Sequence, residues 1–136
     1  MKCIHFIIIG LVLGCSCQIQ IHPYKKKAIL SVRNKVQALG SIDFDSTRII
    51  PFTLYNAGDK DLMIDSVSAS CDCTVPDFVK RTIHPKDSTV LLISYKPVNI
   101  GDFEKAVVIK SNIDSSFTVI RFSGRAIKGM VNTEKK

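Results

Sequence analysis

Cys71 and Cys73, in the stretch SASCDCTVP at residues 68–76, are the side chains whose type and spacing can do chemistry. Four readings compete. The first is a bond between them. On a regular strand, residues two apart lie about 6.6 Å apart and face the same way. Disulfides hold their Cα atoms about 4.4–6.8 Å apart, so a bond here needs a bent backbone. It would also be a weak staple, because closing a three-residue loop is worth about 1.6 kcal/mol, against about 3 for fifteen residues. The second reading is a metal site, in which two thiolates on one side hold Cu(I) or half of a zinc site. Zinc needs further ligands, and beyond the leader the chain offers only His22, in a tether, and His84, which reads as an exposed turn residue. The third is thiol redox chemistry, with Asp72 disfavouring the thiolate by like charge. The fourth is structural, one cysteine packing inside while the other lines a corner.

No other constellation carries chemistry. There is no glycine-rich phosphate loop and no spaced pair of histidine ligands, and no motif places a histidine as a base. Asp59, Asp61 and Asp65 cluster without the spacing of a calcium loop and read as a solvated turn. The expectation is a chain that is not an enzyme, with no cofactor and no small-molecule substrate.

The elements that must position Cys71 and Cys73 are strands. In IIPFTLYN, Ile50, Phe52 and Leu54 share one face, and Pro51, which cannot donate to a ladder, puts this strand at an edge or near its start. NAGDKD (56–61) is a turn by composition. In LMIDSVSA the apolar register switches from Leu62 and Ile64 to Val67 and Ala69, which predicts a bulge near Asp65-Ser66. IHPKDS and NIGD are further turns, flanking STVLLISYKP; FEKAVVIKSN and FTVIRFSGRAI complete the set. Short strands about every dozen residues, with polar turns between and no helical period over 37–127, predict an all-β sandwich, with which an immunoglobulin-like fold is compatible. The chain has no tryptophan, so it lacks the buried one of antibody domains. Residues 28–34 fit a short helix or an extra strand equally well.

The N-terminus reads as a leader. MKCIHFIIIGLVLGC has Lys2 followed by a run from Ile4 to Leu13 that is apolar apart from His5 and Gly10. That run is half the length of a membrane-spanning helix and has the shape of a secretory signal peptide. Its end, VLGC, resembles the lipobox of bacterial lipoproteins. The resemblance implies cleavage after residue 14 and lipidation of Cys15; Cys17 lacks an aliphatic residue at the required place. Ser16 then resembles an outer-membrane sorting residue, which implies an exported chain anchored to the bacterial outer membrane and facing the periplasm. The expected organisation is a signal peptide at 1–14, a lipidated tether at 15–36, a sandwich at 37–127 and a disordered tail at 128–136.

Charge argues against nucleic acid as a partner. Without Lys2 the chain holds 18 Lys and Arg against 12 Asp and Glu, a net of +6. Residues 37–124 hold 9 against 11, a net of −2, so the basic residues sit in the flanks. Lys25–Lys27 read as a solvated linker or as a contact with anionic headgroups beside the anchor.

Taken in order, LGSI (39–42), LYNAGDKDLMI (54–64), SCDCTVP (70–76), IHP (83–85), GDFEKAVVIKSN (101–112) and RFSGRAI (121–127) resemble the DUF1573 family of Bacteroidetes-type lipoproteins. The resemblance spans about residues 38–127 and implies an immunoglobulin-like domain akin to the ASH and major-sperm-protein domains, with no established activity. Two positions depart from the family. Its glycine between the cysteines is Asp72 here; if that glycine serves a positive φ, aspartate is among the few residues that tolerate it. Its Pro-Gly turn is Pro85-Lys86. The resulting expectation is a lipid-anchored envelope protein that meets a protein partner through an exposed edge strand or loop face. The rival is a thiol-redox or metal-handling envelope protein centred on Cys71 and Cys73.

Overall fold

The computed structural model describes residues 25–77, 80–113 and 117–129. The leader, Cys15, Ser16, Cys17, His22 and most of the expected tail lie outside the described residues.

Nine strands run in chain order: β1 (Leu30–Val32), β2 (Val36–Asp43), β3 (Arg48–Asn56), β4 (Leu62–Ala69), β5 (Thr74–Asp77), β6 (Thr82–Ile83), β7 (Ser88–Tyr95), β8 (Gly101–Ser111) and β9 (Phe117–Ile127). They form two sheets, ordered β1-β3-β7-β5 and β2-β9-β8-β4-β6. The described residues contain no helix, and the chain crosses between the sheets at almost every connection. All pairings are antiparallel except β2 on β9, which is parallel. The architecture is the all-β sandwich that the strand spacing predicts, in the immunoglobulin-like form that the family resemblance implies.

Alternation explains the core. Ile50, Phe52 and Leu54 on β3 and Leu91, Ile93 and Tyr95 on β7 point inward and are almost wholly buried. They meet Leu62 and Ile64 on β4, Val107 and Ile109 on β8, and Ile120 and Phe122 on β9. At one end the rings of Tyr95, Phe103 and Phe122 stack at tilted and edge-on angles, with centroids 4.7–6.4 Å apart. The predicted bulge in β4 is present: Ile64 pairs with Ser111 but Ser66 with Lys110, and the register slips between them. That slip moves the inward positions from Leu62 and Ile64 to Val67 and Ala69.

The expected tether needs correction. The tether does not extend to residue 36, because Ala28 and Val32 are buried and β1 pairs with Leu54–Asn56. The segment 28–34 is therefore an extra strand, recruited because its small apolar face closes the top of the core. Over residues 28–127 the charges then become 12 Lys and Arg against 11 Asp and Glu, a near balance. Asp72 does not take a positive φ; among the described residues other than glycine only Asn34 and Lys86 do. Lys86, at φ 67°, keeps the family's turn without the glycine. Pro85 precedes it, and the Asp87 N–H donates to the His84 carbonyl at 3.1 Å, the pattern of a type II turn. The side-chain ammonium of Lys86 donates to the Ala57 carbonyl at 2.9 Å, which offsets part of the conformational cost.

Candidate functional site

The β4–β5 connection bends sharply, and Cys71 and Cys73 are joined there by a disulfide with their Cα atoms 5.3 Å apart. The bent backbone that bonding requires comes from a turn in which the Thr74 N–H donates to the Cys71 carbonyl at 3.1 Å. On its other side the corner is fastened to β7, where the Lys96 N–H donates to the Cys73 carbonyl at 3.1 Å. Thr74, opposite Tyr95 in the ladder, is buried, with its hydroxyl 3.4 Å from Cys71 Sγ and 3.9 Å from Cys73 Sγ. Bonded sulfurs carry no proton, so the hydroxyl is the donor. Both cysteines are half-buried, Asp72 between them is exposed, and Cys73 also packs on the core. The described residues hold no group of three or more His, Cys, Asp or Glu side chains able to share a metal ion. His84 lies in the Pro85-Lys86 turn, at the opposite end of the strands.

Beside the corner lies a shallow, open, mainly apolar groove of about 530 Å³. Cys73, Val75, Pro97 and Val98 supply its apolar lining, and Asp72 and Lys96 its charges. Val75 and Val98 are more than half exposed. The groove continues onto the outer face of the four-stranded sheet. There Ile49, Pro51, Thr53 and Tyr55 on β3 lie beside Val90, Leu92 and Ser94 on β7. Ile49 and Val90 remain 51% and 54% exposed, which makes this a solvent-facing apolar surface rather than a half-covered one. The outer face of the other sheet differs. It carries a two-pronged ion pair from Arg125 to Asp102, at 2.6 and 2.9 Å, and a second from Arg121 to Glu104 at 3.3 Å. The Arg125 guanidinium, through its hydrogen bonds, holds the Asp102 carboxyl below the usual carboxylate range. The ion pairs occupy one part of that face; along the same side of β9, Phe117 and Val119 are 64% and 38% exposed.

Prolines interrupt both edges of the apolar sheet. Thr53 accepts from the Arg33 N–H, and the Ala57 N–H donates to Ile29, so odd-numbered residues of β3 direct their backbone groups toward the β1 side. β1 is too short to cover Pro51, which has no N–H to offer, and the Gln37 side chain takes its carbonyl at 2.9 Å. At the opposite edge the Lys96–Cys73 bond sets the alternation, so Thr74 and Pro76 of β5 point outward. The Thr74 N–H is taken by Cys71, and Pro76 has none. In the five-stranded sheet β6 has two residues, and β2 is broken by a register shift between Ala38 and Ser41, with Gly40 at φ 67°. An added strand would therefore meet Pro51 at one edge of the four-stranded sheet and Pro76 at the other, each without an N–H. The loop and face surfaces carry no such obstacle.

The far end of the molecule is organised by Asn56, wholly buried at the end of β3. Its amide nitrogen donates to the carbonyls of Lys60 (2.7 Å) and Ile83 (2.9 Å), and its amide oxygen accepts from Gly58 (3.0 Å) and Ile29 (3.4 Å). A Cβ at Gly58 would lie 2.7 Å from Ile29 N and 2.8 Å from Ala28 Cα and would strike the Lys27 carbonyl, so only glycine fits beneath the incoming chain. The sequence marked NAGDKD as a turn but gave Asn56 no further part; an asparagine ending an apolar strand, two residues before a glycine, was the available signal. On the same end His84 Nδ1 meets Asp61 Oδ1 at 2.9 Å, and this hydrogen bond with the Asp61 charge raises the exposed imidazole above the usual histidine value.

Comparison with known proteins yields structural matches at low identity. The ASH/PapD-like domain of human CEP192 (PapD-like domain 7) superposes with a TM-score of 0.63 at 14% identity, covering 84% of this chain and 97% of that one. A protein of unknown function from Porphyromonas gingivalis W83 has a TM-score of 0.63 at 18% identity, covering 79% and 51%. The E. coli chaperone DraB has a TM-score of 0.57 at 13% identity, covering 75% and 58%. These likenesses establish the fold alone. No curated protein matches the sequence. The sandwich and its motif order agree with a family match over residues 30–126, and the chain belongs to DUF1573, a family described as a protein of unknown function.

Proposed function

We propose that this protein is a lipid-anchored envelope module that binds a protein partner and is not itself an enzyme. The observation that carries the reading is the exposed apolar strip of Ile49, Val90 and Leu92 on the outer face of the β1-β3-β7-β5 sheet, continuous with the groove beside Cys73. A two-faced sandwich ordinarily exposes polar side chains on both outer surfaces. Geometry supports the same reading. Lys27 lies beside Gly58, and its carbonyl accepts from the Asp59 N–H at 2.9 Å. The cysteine corner and its groove lie at the other end of the strands. Nine residues of β3 span about 30 Å, so a chain tethered at its N-terminus carries the groove away from the membrane. Anchoring through Cys15 and residence at the outer membrane, facing the periplasm, rest on VLGC and Ser16 in the sequence.

The test is a photo-crosslinking residue at Val90 or Leu92 in intact cells, with Glu104, among the ion pairs of the other sheet, as the control. One discrete adduct from the first two and none from the third is the expected result. Equal labelling from both faces, or none from either, overturns the reading. Anchoring has its own measurement: Cys15→Ser should lose acyl label and membrane retention, and full retention of both overturns the assignment.

A further inference from the structure

We propose that the Cys71–Cys73 pair is a thiol–disulfide exchange site that accepts a thiol-bearing polypeptide segment through the apolar groove beside Cys73. Three observations point there. The bond closes a loop of only three residues, so it adds little to the stability of the chain and little holds it closed. The corner keeps its shape without the bond, since the Thr74–Cys71 and Lys96–Cys73 backbone hydrogen bonds fix both sides. The two sulfurs are also unlike. Cys73 lines the groove, whereas Cys71 does not and lies closer to the buried Thr74 hydroxyl, at 3.4 Å against 3.9 Å.

The step follows from that asymmetry. A thiolate on a segment seated against Val75, Pro97 and Val98 attacks Cys73 Sγ. The incoming sulfur bonds to Cys73, the Cys71–Cys73 bond breaks, and its electron pair leaves on Cys71 as a thiolate. The Thr74 hydroxyl then hydrogen-bonds this leaving group, which lowers the cost of its charge. Of the charged groups lining the groove, Lys96 favours thiolate and Asp72 opposes it. A second thiol on the segment, deprotonated, attacks the segment's own sulfur in the mixed disulfide and expels Cys73. The segment is oxidised by two electrons to a disulfide. Cys71 and Cys73 are reduced by the same two electrons and take up the two protons the segment loses. Thr74 is a positioning residue here, acting through Cys71.

The inference is independent of the partner reading of the sheet face, since crosslinking from Val90 and exchange at Cys73 can fail separately. The experiment uses the purified protein with Cys17→Ser, so that Cys17 does not exchange. The probes are glutathione and a short synthetic peptide with one cysteine between valines, each followed by acid quenching, alkylation and peptide mapping. The expected result is a mixed disulfide on Cys73 with Cys71 alkylated, formed several-fold faster with the apolar peptide than with glutathione. Thr74→Val should slow the exchange about tenfold and raise the pH at which alkylation of reduced Cys71 reaches half its maximal rate. Thr74→Ser should restore both, and Val98→Asp should remove the advantage of the apolar peptide. A pair that stays oxidised in millimolar glutathione, a mixed disulfide on Cys71, or a Thr74→Val protein that is folded and exchanges like Thr74→Ser overturns the proposal.

Discussion

The Asn56 side chain crosses from one sheet to the other and donates to the Ile83 carbonyl at 2.9 Å, tying β3 to β6 through a single buried amide. Its second N–H, its oxygen and its backbone groups are also engaged, so no polar group of this residue is left to water. Only an amide supplies two donors and an acceptor in that volume.

Replacing Asn56 by alanine should therefore cost about 2–4 kcal/mol, since it strands buried carbonyls and N–H groups. Asn56→Asp should be no better, because a carboxylate would face two carbonyl oxygens. Gly58→Ala should cost about 1–3 kcal/mol by forcing the incoming chain off β3. Urea denaturation measures all three, and wild-type midpoints would remove Asn56 from its place as the organiser of this end.

Core truncation should outweigh loss of the disulfide. Phe52 and Phe122 are fully buried, and Phe122 packs edge-on against Tyr95 at 5.2 Å. Phe52→Ala or Phe122→Ala should each cost about 3–5 kcal/mol. Replacing Cys71 and Cys73 together by serine should cost less than either, near the roughly 1.6 kcal/mol of a three-residue loop. Should the double-cysteine protein be unfolded while the Phe variants remain folded, the corner would be the support of the fold.

His84 should titrate above the ordinary histidine value, owing to the Asp61 hydrogen bond and charge. Because the folded-state value is raised, the contact contributes its full stability below the unfolded histidine pKa of about 6.5 and loses it as pH rises through the higher folded value. NMR titration of the imidazole should show the raised midpoint, and Asp61→Asn should return it toward 6.5. The pair is exposed, so salt should weaken the shift. A midpoint unchanged by Asp61→Asn would place the cause elsewhere.

Part of this protein was legible in one dimension because strand periodicity is a local property. The alternation of Ile50, Phe52 and Leu54, and the register switch at Asp65-Ser66, fix inward and outward faces whatever the partner strand. The sandwich class, the β4 bulge, the exposed setting of His84 and the family motifs all follow from such local order. Pro51 read as the sign of an edge strand or of a strand start, whereas β3 lies between β1 and β7 and begins three residues earlier; the proline is tolerated because β1 reaches only Leu54–Asn56 and leaves it uncovered.

What lies between distant residues was decided only by the tertiary structure. β1 has three residues and too little pattern to distinguish strand from helix; its strand form comes from pairing with Leu54–Asn56. The parallel docking of β2 on β9 joins residues about 85 apart, and no local signal encodes it. Cys-Asp-Cys left bond, metal and free thiols open, because a residue pair two apart can meet only if the backbone bends. The bend is set by the Thr74–Cys71 turn and by the Lys96–Cys73 bond, whose two ends lie 23 residues apart in the chain. The apolar strip on the outer face of the four-stranded sheet emerged the same way. Whether Val90 and Leu92 form a patch with Ile49 depends on β3 lying beside β7, and register is a property of two strands, not of one.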